Sequence, residues 1–212
     1  MTSTIVCYGD SLTWGFDADG QGRHRFEDRW PSVVQQTLGT RARVIAEGLN
    51  GRTTAYDDYL SAGDRNGARV LPTILATHAP IDILVLALGS NDLKRHTGGG
   101  RAREAAWGME RLVEIARSFP YGFDFDAPEI IIVSPPSLVE TQDEDFDAMF
   151  GFAQAESSQF APLYDALARR LGCIHVAASE VCMATPTDGI HLDAENTRKL
   201  GVSIAATLEA LL

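Results

Sequence analysis

The chain has no apolar run of 18 residues, so it offers no segment able to cross a bilayer as a helix. Cysteine is scarce and odd in number: Cys7, Cys173 and Cys182, with no C-x-x-C pair. That excludes a disulfide framework and a cysteine-based zinc site. Cys7 sits inside an apolar run and reads as a buried structural thiol. Positive charge is also in short supply, with 18 Lys and Arg against 29 Asp and Glu and a net charge of −11. A surface of that sign repels phosphate backbones and anionic lipid, so neither a nucleic-acid partner nor a membrane partner is expected. The stretch Gly98-Gly99-Gly100 lacks a surrounding G-x-G-x-x-G or Walker pattern, which makes it a flexible loop rather than a phosphate cradle. Met1-Thr2-Ser3-Thr4 has no basic region and no long apolar region before Ile5–Tyr8, so no secretory leader is predicted. Together with the cysteine pattern this predicts a cytoplasmic protein.

What is present is an alternation of short apolar runs and amphipathic stretches, without an internal repeat or linker. The 212 residues suit one α/β domain spanning residues 1–212. Strands are predicted at Thr4–Tyr8, Arg43–Ala46, Asp82–Leu88, Glu129–Val133 and Cys173–Ala177. Several are unbroken Val/Ile/Leu runs without period two, as in strands buried on both faces of a parallel sheet. Helices are predicted at Trp30–Leu38, Val70–Thr77, Ala102–Ser118, within Asp145–Leu171 and at Asn196–Leu212, the first capped by Asp28 or Ser32. This order implies a doubly wound three-layer α/β/α sandwich on a five-stranded parallel sheet.

Ligands of such folds bind outside the carboxyl ends of the strands. Four predicted strand ends carry polar groups that acyl transfer uses. Ser11, after Gly9-Asp10, is a candidate nucleophile, although a serine there also suits a helix cap. His191 is a candidate general base with Asp188 three residues earlier, on one face of a turn; a surface Asp beside a satisfied His is the plainer reading of that pair alone. Asn91 and Gly51 are candidate oxyanion donors, or else an Asx turn and an ordinary tight turn. His24, His78, His96 and His175 are accounted for by exposure or packing. Trp14 and Phe16, just beyond Ser11, are candidate walls of a substrate pocket. Phe146, Met149 and Phe150 lie in the segment Pro135–Phe152, placed to close over a ligand.

Gly9-Asp10-Ser11-Leu12-Thr13, Glu47–Thr54, Gly89-Ser90-Asn91-Asp92 and Asp188-Gly189-Ile190-His191-Leu192 resemble, in order, the four blocks of the SGNH/GDSL hydrolases. The resemblance implies a flavodoxin-like SGNH fold and Ser11–His191–Asp188 catalysis on a small-molecule ester. It also implies oxyanion donors from the Ser11 N–H, the Gly51 N–H and the Asn91 side chain, and no metal or organic cofactor. The stretch Gly9–Gly15, with the second and last blocks, is similar to bacterial arylesterases that also act as acyltransferases and perhydrolases, with Ser90 where those carry Thr. That likeness implies a homo-oligomer. A carbohydrate O-deacetylase, a thioesterase or a lysophospholipase would use the same triad. Two readings of other classes remain: a metal-dependent hydrolase using Asp10, Asp92, Asp188 and His191 as hard ligands, and a non-catalytic binding module.

Overall fold

Five strands form one parallel sheet: β1 (Ser3–Gly9), β4 (Ala42–Gly48), β5 (Ile83–Ala87), β6 (Glu129–Ser134) and β7 (Ile174–Ala177). Their order is β4-β1-β5-β6-β7 in a computed structural model that describes residues 2–20, 22–97 and 100–212. Gly98 and Gly99 of the predicted glycine loop lie outside the described residues. A two-stranded antiparallel hairpin, β2 (Phe16–Asp17) with β3 (Gly22–Arg23), stands apart from the sheet; no sequence signal was read for it.

The unbroken apolar runs are explained by burial on both faces. Val6 and Tyr8 of β1, Leu84 and Leu86 of β5, and Ile130 and Ile132 of β6 pack into one core. There they meet α3 (Gly67–His78), α4 (Ala102–Ser118) and α7 (Phe160–Leu171). The alternate residues Ile5, Cys7, Ile83, Val85, Ile131 and Val133 face a second core with α2 (Trp30–Leu38) and α8 (Ala194–Glu209). The inner strands β1, β5 and β6 have almost no face left to water and need no alternating polar residue, whereas the edge strand β4 keeps Arg43 and Ala46 exposed.

The predicted cap of α2 is corrected by the structure. The residue preceding the helix is Arg29, in an extended conformation with no capping side chain. Pro31, second in the helix, has no N–H to satisfy, so a cap is less needed. Asp28 instead pairs with Arg198 of α8 at 2.5 Å, and Ser32 is buried within the helix. The span Asp145–Leu171 holds three helices: α5 (Glu144–Phe150), α6 (Gln154–Ser157) and α7. A short α1 (Ser11–Trp14) completes the set.

The chain order places the functional end. β1 is flanked by β4 on one side and β5 on the other, so the connections leaving them diverge at the carboxyl ends of β1 and β5. That divergence opens the crevice where ligands bind in open α/β sheets.

Candidate active site

Gly9 ends β1, and the chain turns at once into α1. Asp10 is its cap: Oδ1 accepts the Leu12 N–H at 2.9 Å, and Gly15 closes the helix in a left-handed conformation. Ser11 is therefore the first residue of the helix and not its cap, which leaves its hydroxyl free for other work. Gly48, at the end of β4, lets α1 lie against the sheet; a Cβ there would meet the Trp14 backbone N at 2.3 Å.

Asp188 and His191 stand in a turn before α8 rather than on a helix. Asp188 Oδ1 accepts the N–H groups of Ile190 and His191, at 3.0 and 2.9 Å. Its Oδ2 lies 2.6 Å from His191 Nδ1. That partner selects the tautomer with Nδ1 protonated, leaving Nε2 to accept the hydroxyl proton of Ser11, whose Oγ is 2.8 Å away. Burial pushes the Asp188 carboxyl up, but the hydrogen bond from His191, its charge and the two N–H groups outweigh it and hold the carboxyl below the usual range. A carboxylate kept ionised beside an imidazole favours the imidazolium that proton transfer from Ser11 would create.

The imidazole is held from several sides. The Phe16 ring lies 4.2 Å from it, centroid to centroid, and the edge of Phe146 faces it at 5.7 Å. His24, buried, bonds through Nε2 to the Leu192 carbonyl at 2.9 Å, fastening the hairpin to the residue after His191. Sequence reasoning credited His24 only with exposure or packing. A lone His in a basic loop carries no signal of a partner 168 residues away.

The donor side is built by the loops after β4 and β5. Gly51 has φ +83°, where a side chain is strained. Among the described residues neither its N–H nor that of Ser11 has an acceptor. Asn91 is buried, with Nδ2 3.2 Å from the Arg52 carbonyl and 3.4 Å from Asp10 Oδ2. Arg52 ties these loops together: its Nη1 donates to the carbonyls of Gly9, at 2.8 Å, and Glu47, and its guanidinium lies over the Tyr8 ring. Asp92 accepts both the N–H and the hydroxyl of Thr54. Burial pushes Asp92 up to about 7 and Asp10 up to about 6. Both acids are engaged in holding loops, and among the described residues no three His, Cys, Asp or Glu side chains are grouped to hold a metal ion.

These groups meet in a cavity of about 190 Å³. Ser11, His191, Asn50, Gly51, Asn91 and Lys94 give it a polar side; Phe16, Phe146, Met149, Phe150 and Ile190 give it an apolar one. Phe16 lies in the lining, as do Phe146, Met149 and Phe150 of the Pro135–Phe152 segment. Trp14 does not: its ring lies beneath the Arg23 guanidinium at 4.5 Å and its carbonyl accepts from Arg23 Nε. Asn50, Lys94 and Ile190 were not singled out from sequence, although each adjoins a residue that was.

No helix among the described residues is long and apolar enough to cross a membrane. The model of the GDSL-like lipase/acylhydrolase family matches residues 7–198. None of the curated proteins compared with the chain matches it. Among solved structures, a carbohydrate acetylesterase family member from Sinorhizobium meliloti is 54% identical, with TM-score 0.95 over 100% of this chain and 99% of that one. A second carbohydrate acetylesterase from Sinorhizobium meliloti is 35% identical with TM-score 0.94, and the aryl esterase of M. smegmatis 35% identical with TM-score 0.93, each over 100% of both chains. From these matches and the arrangement at Ser11, the chain belongs to the GDSL-like lipase/acylhydrolase family, the SGNH hydrolases, and is a carboxylic ester hydrolase.

Proposed function

We propose that the protein cleaves small carboxylic esters, short-acyl or aryl, through an acyl-enzyme on Ser11. The observation that carries this reading is the chain of contacts Asp188–His191–Ser11 at 2.6 and 2.8 Å, opening into a small cavity with an apolar wall. Ser11 Oγ attacks the ester carbonyl while His191 Nε2 takes its proton, and Asp188 orients and stabilises the imidazolium. The carbonyl oxygen, now an anion, is received by the free N–H groups of Ser11 and Gly51 and by Asn91, which releases its longer bond to Asp10 as the charge develops. The alcohol leaves with the proton from His191. Water, activated by the same imidazole, then frees the acid. An added alcohol or peroxide entering the cavity at that stage receives the acyl group instead.

The cavity argues for small acyl groups, since about 190 Å³ lies below the roughly 300–1,000 Å³ typical of drug-sized ligands. The relative at 54% identity is described as a carbohydrate acetylesterase family member, which favours acetyl esters of sugars as the second reading. The three free thiols accord with a reducing, cytoplasmic setting. The test is hydrolysis of p-nitrophenyl esters from acetate to palmitate and of acetylated sugars, with wild type and Ser11→Ala side by side. Turnover that depends on Ser11 and peaks at acetate or propionate is the expected result. Equal turnover by a folded Ser11→Ala protein, or activity confined to long chains, contradicts it.

A further inference from the structure

The nucleophile and the base come from opposite ends of the chain, and one small element touches both. The hairpin of β2 and β3 leaves α1 directly after its closing Gly15 and is followed at once by His24, which reaches the loop that carries His191. Strands of two residues each hold no position by themselves, so what the hairpin is tied to decides where it sits. On the nucleophile side, the His24 N–H donates to the Gly15 carbonyl at 2.8 Å and Arg23 Nε to the Trp14 carbonyl at 2.7 Å. On the base side, Phe16, paired across the hairpin with Arg23, lies against the His191 ring. Thr187 Oγ1 donates to Asp19 Oδ1. His24 Nε2 stands 2.9 Å from the Leu192 carbonyl; a carbonyl only accepts, so His24 carries its proton on Nε2.

The bond to Leu192 has no substitute in the backbone. Among the described residues no backbone N–H reaches that carbonyl: α8 begins only at Ala194, and the Asn196 N–H is taken by Asp193 Oδ1. His24 and Leu192 are both buried. The preceding carbonyl, that of His191 itself, accepts the Thr185 N–H at 2.7 Å. The backbone on both sides of the base is thus pinned, and the outer pin is a side chain. We propose that His24 is a positioning residue of the ester hydrolysis: by holding the Leu192 carbonyl it keeps His191 Nε2 within reach of Ser11, with the exposed Asp19–Thr187 bond as a weaker second tie. The proposal rests on the Ser11 esterase reading and adds a residue to it. Through the hairpin, groups 180 residues apart in sequence become one unit. Misplacing a catalytic group by about 1 Å costs on the order of 100-fold in rate. The loop that carries His191 keeps its bonds to Asp188 and Thr185 when His24 is lost, so the expected loss is smaller, about tenfold in kcat.

The test compares His24→Leu, which has no donor, with His24→Gln, whose amide offers an N–H to the same carbonyl. Both are assayed on p-nitrophenyl acetate under conditions where circular dichroism shows them folded. His24→Leu should lower kcat about tenfold with KM within about twofold, and His24→Gln should recover kcat to within about threefold of wild type. Proton NMR reads the same geometry without turnover. The Nδ1 proton of His191, held by Asp188, should give a sharp far-downfield signal in wild type and His24→Gln, and a broadened or lost one in His24→Leu. Asp19→Ala, at the exposed end of the hairpin, should lower kcat about threefold. Wild-type kcat in folded His24→Leu overturns the proposal, and so does a loss that His24→Gln does not relieve, which would make His24 a packing residue. Where His24→Leu does not fold, Asp19→Ala carries the test, and wild-type kcat there overturns the role of the hairpin. Ser11→Ala run alongside keeps the esterase reading separate: without Ser11-dependent turnover that reading fails instead, while the NMR comparison still decides whether His24 places His191.

Discussion

Among the described residues the fold brings together two sets of serine, histidine and aspartate, one at the carboxyl end of the sheet and one between β6, β7 and α7, and only the first is equipped for chemistry. Ser134 ends β6, with its Oγ 3.0 Å from His175 Nε2 on β7, and His175 Nδ1 faces Asp165 at 3.9 Å. By residue type this matches Ser11, His191 and Asp188. By environment it does not. Ser134 is fully buried and lines no cavity among those described, whereas Ser11 opens into one shared with Gly51 and Asn91. Asp165 is only half-buried, beyond hydrogen-bond reach of the imidazole, and shared with Arg169; Asp188 is buried, at 2.6 Å, and braced by two backbone N–H groups. Burial pushes the His175 imidazolium down, with only partial compensation from Asp165 and Glu180. A triad thus consists of access, a bound orienting carboxylate and free donors, more than of three residue names.

Substitution separates the two sets most sharply at the serine and histidine. Ser11→Ala or His191→Ala should lower kcat by about 10⁶-fold in a steady-state ester assay, the scale seen when members of such a unit are removed. Ser134→Ala and His175→Ala should leave kcat within about twofold and show instead as a loss of roughly 1–3 kcal/mol in denaturant unfolding, from a buried polar group left unpaired. Next in size, Asp188→Asn should cost on the order of 10⁴-fold, because an amide permits the wrong imidazole tautomer, while Asp165→Asn costs little. Asn91→Ala should cost about 100–1000-fold in kcat without unfolding the chain; the Ser134 set has no counterpart to lose.

The smallest expected difference is in pH dependence of stability. Asp10 and Asp92 carry folded-state values of about 6 and about 7, above the ordinary carboxylate value. Between that value and theirs the folded protein holds protons that the unfolded chain has released. Stability therefore falls as pH rises through this window and levels off above about 7. Melting temperatures from about pH 4.5 to about pH 8 should show that slope in the wild type and a shallower one in Asp92→Asn. Asp188, held low, contributes in the opposite sense and only at the acid end.

The same comparison indicates what was legible in the sequence. The parallel sheet was readable because runs such as Ile5-Val6-Cys7-Tyr8 have no polar alternation, and each of these residues is buried in one of the two cores. Ser11 and His191, 180 residues apart, were readable only through the motifs around them and the rule that strand ends face the crevice. What escaped was long-range and specific. The Asp28–Arg198 pair spans 170 residues and defeated a local capping argument. Trp14 was misjudged because nearness in sequence to Ser11 was taken for nearness to the cavity. Lys94 was passed over because a lysine that lines a cavity and one in open solvent look alike in sequence.

The central claim is that Ser11 alone becomes acylated, and the direct measurement is mass spectrometry of protein quenched from turnover of p-nitrophenyl acetate, with peptide mapping of the adduct. The account predicts one acetyl group per chain on the peptide carrying Ser11, absent from His191→Ala and present in His175→Ala. An adduct on Ser134, or rapid turnover with no covalent intermediate and undiminished activity in Ser11→Ala, would contradict it.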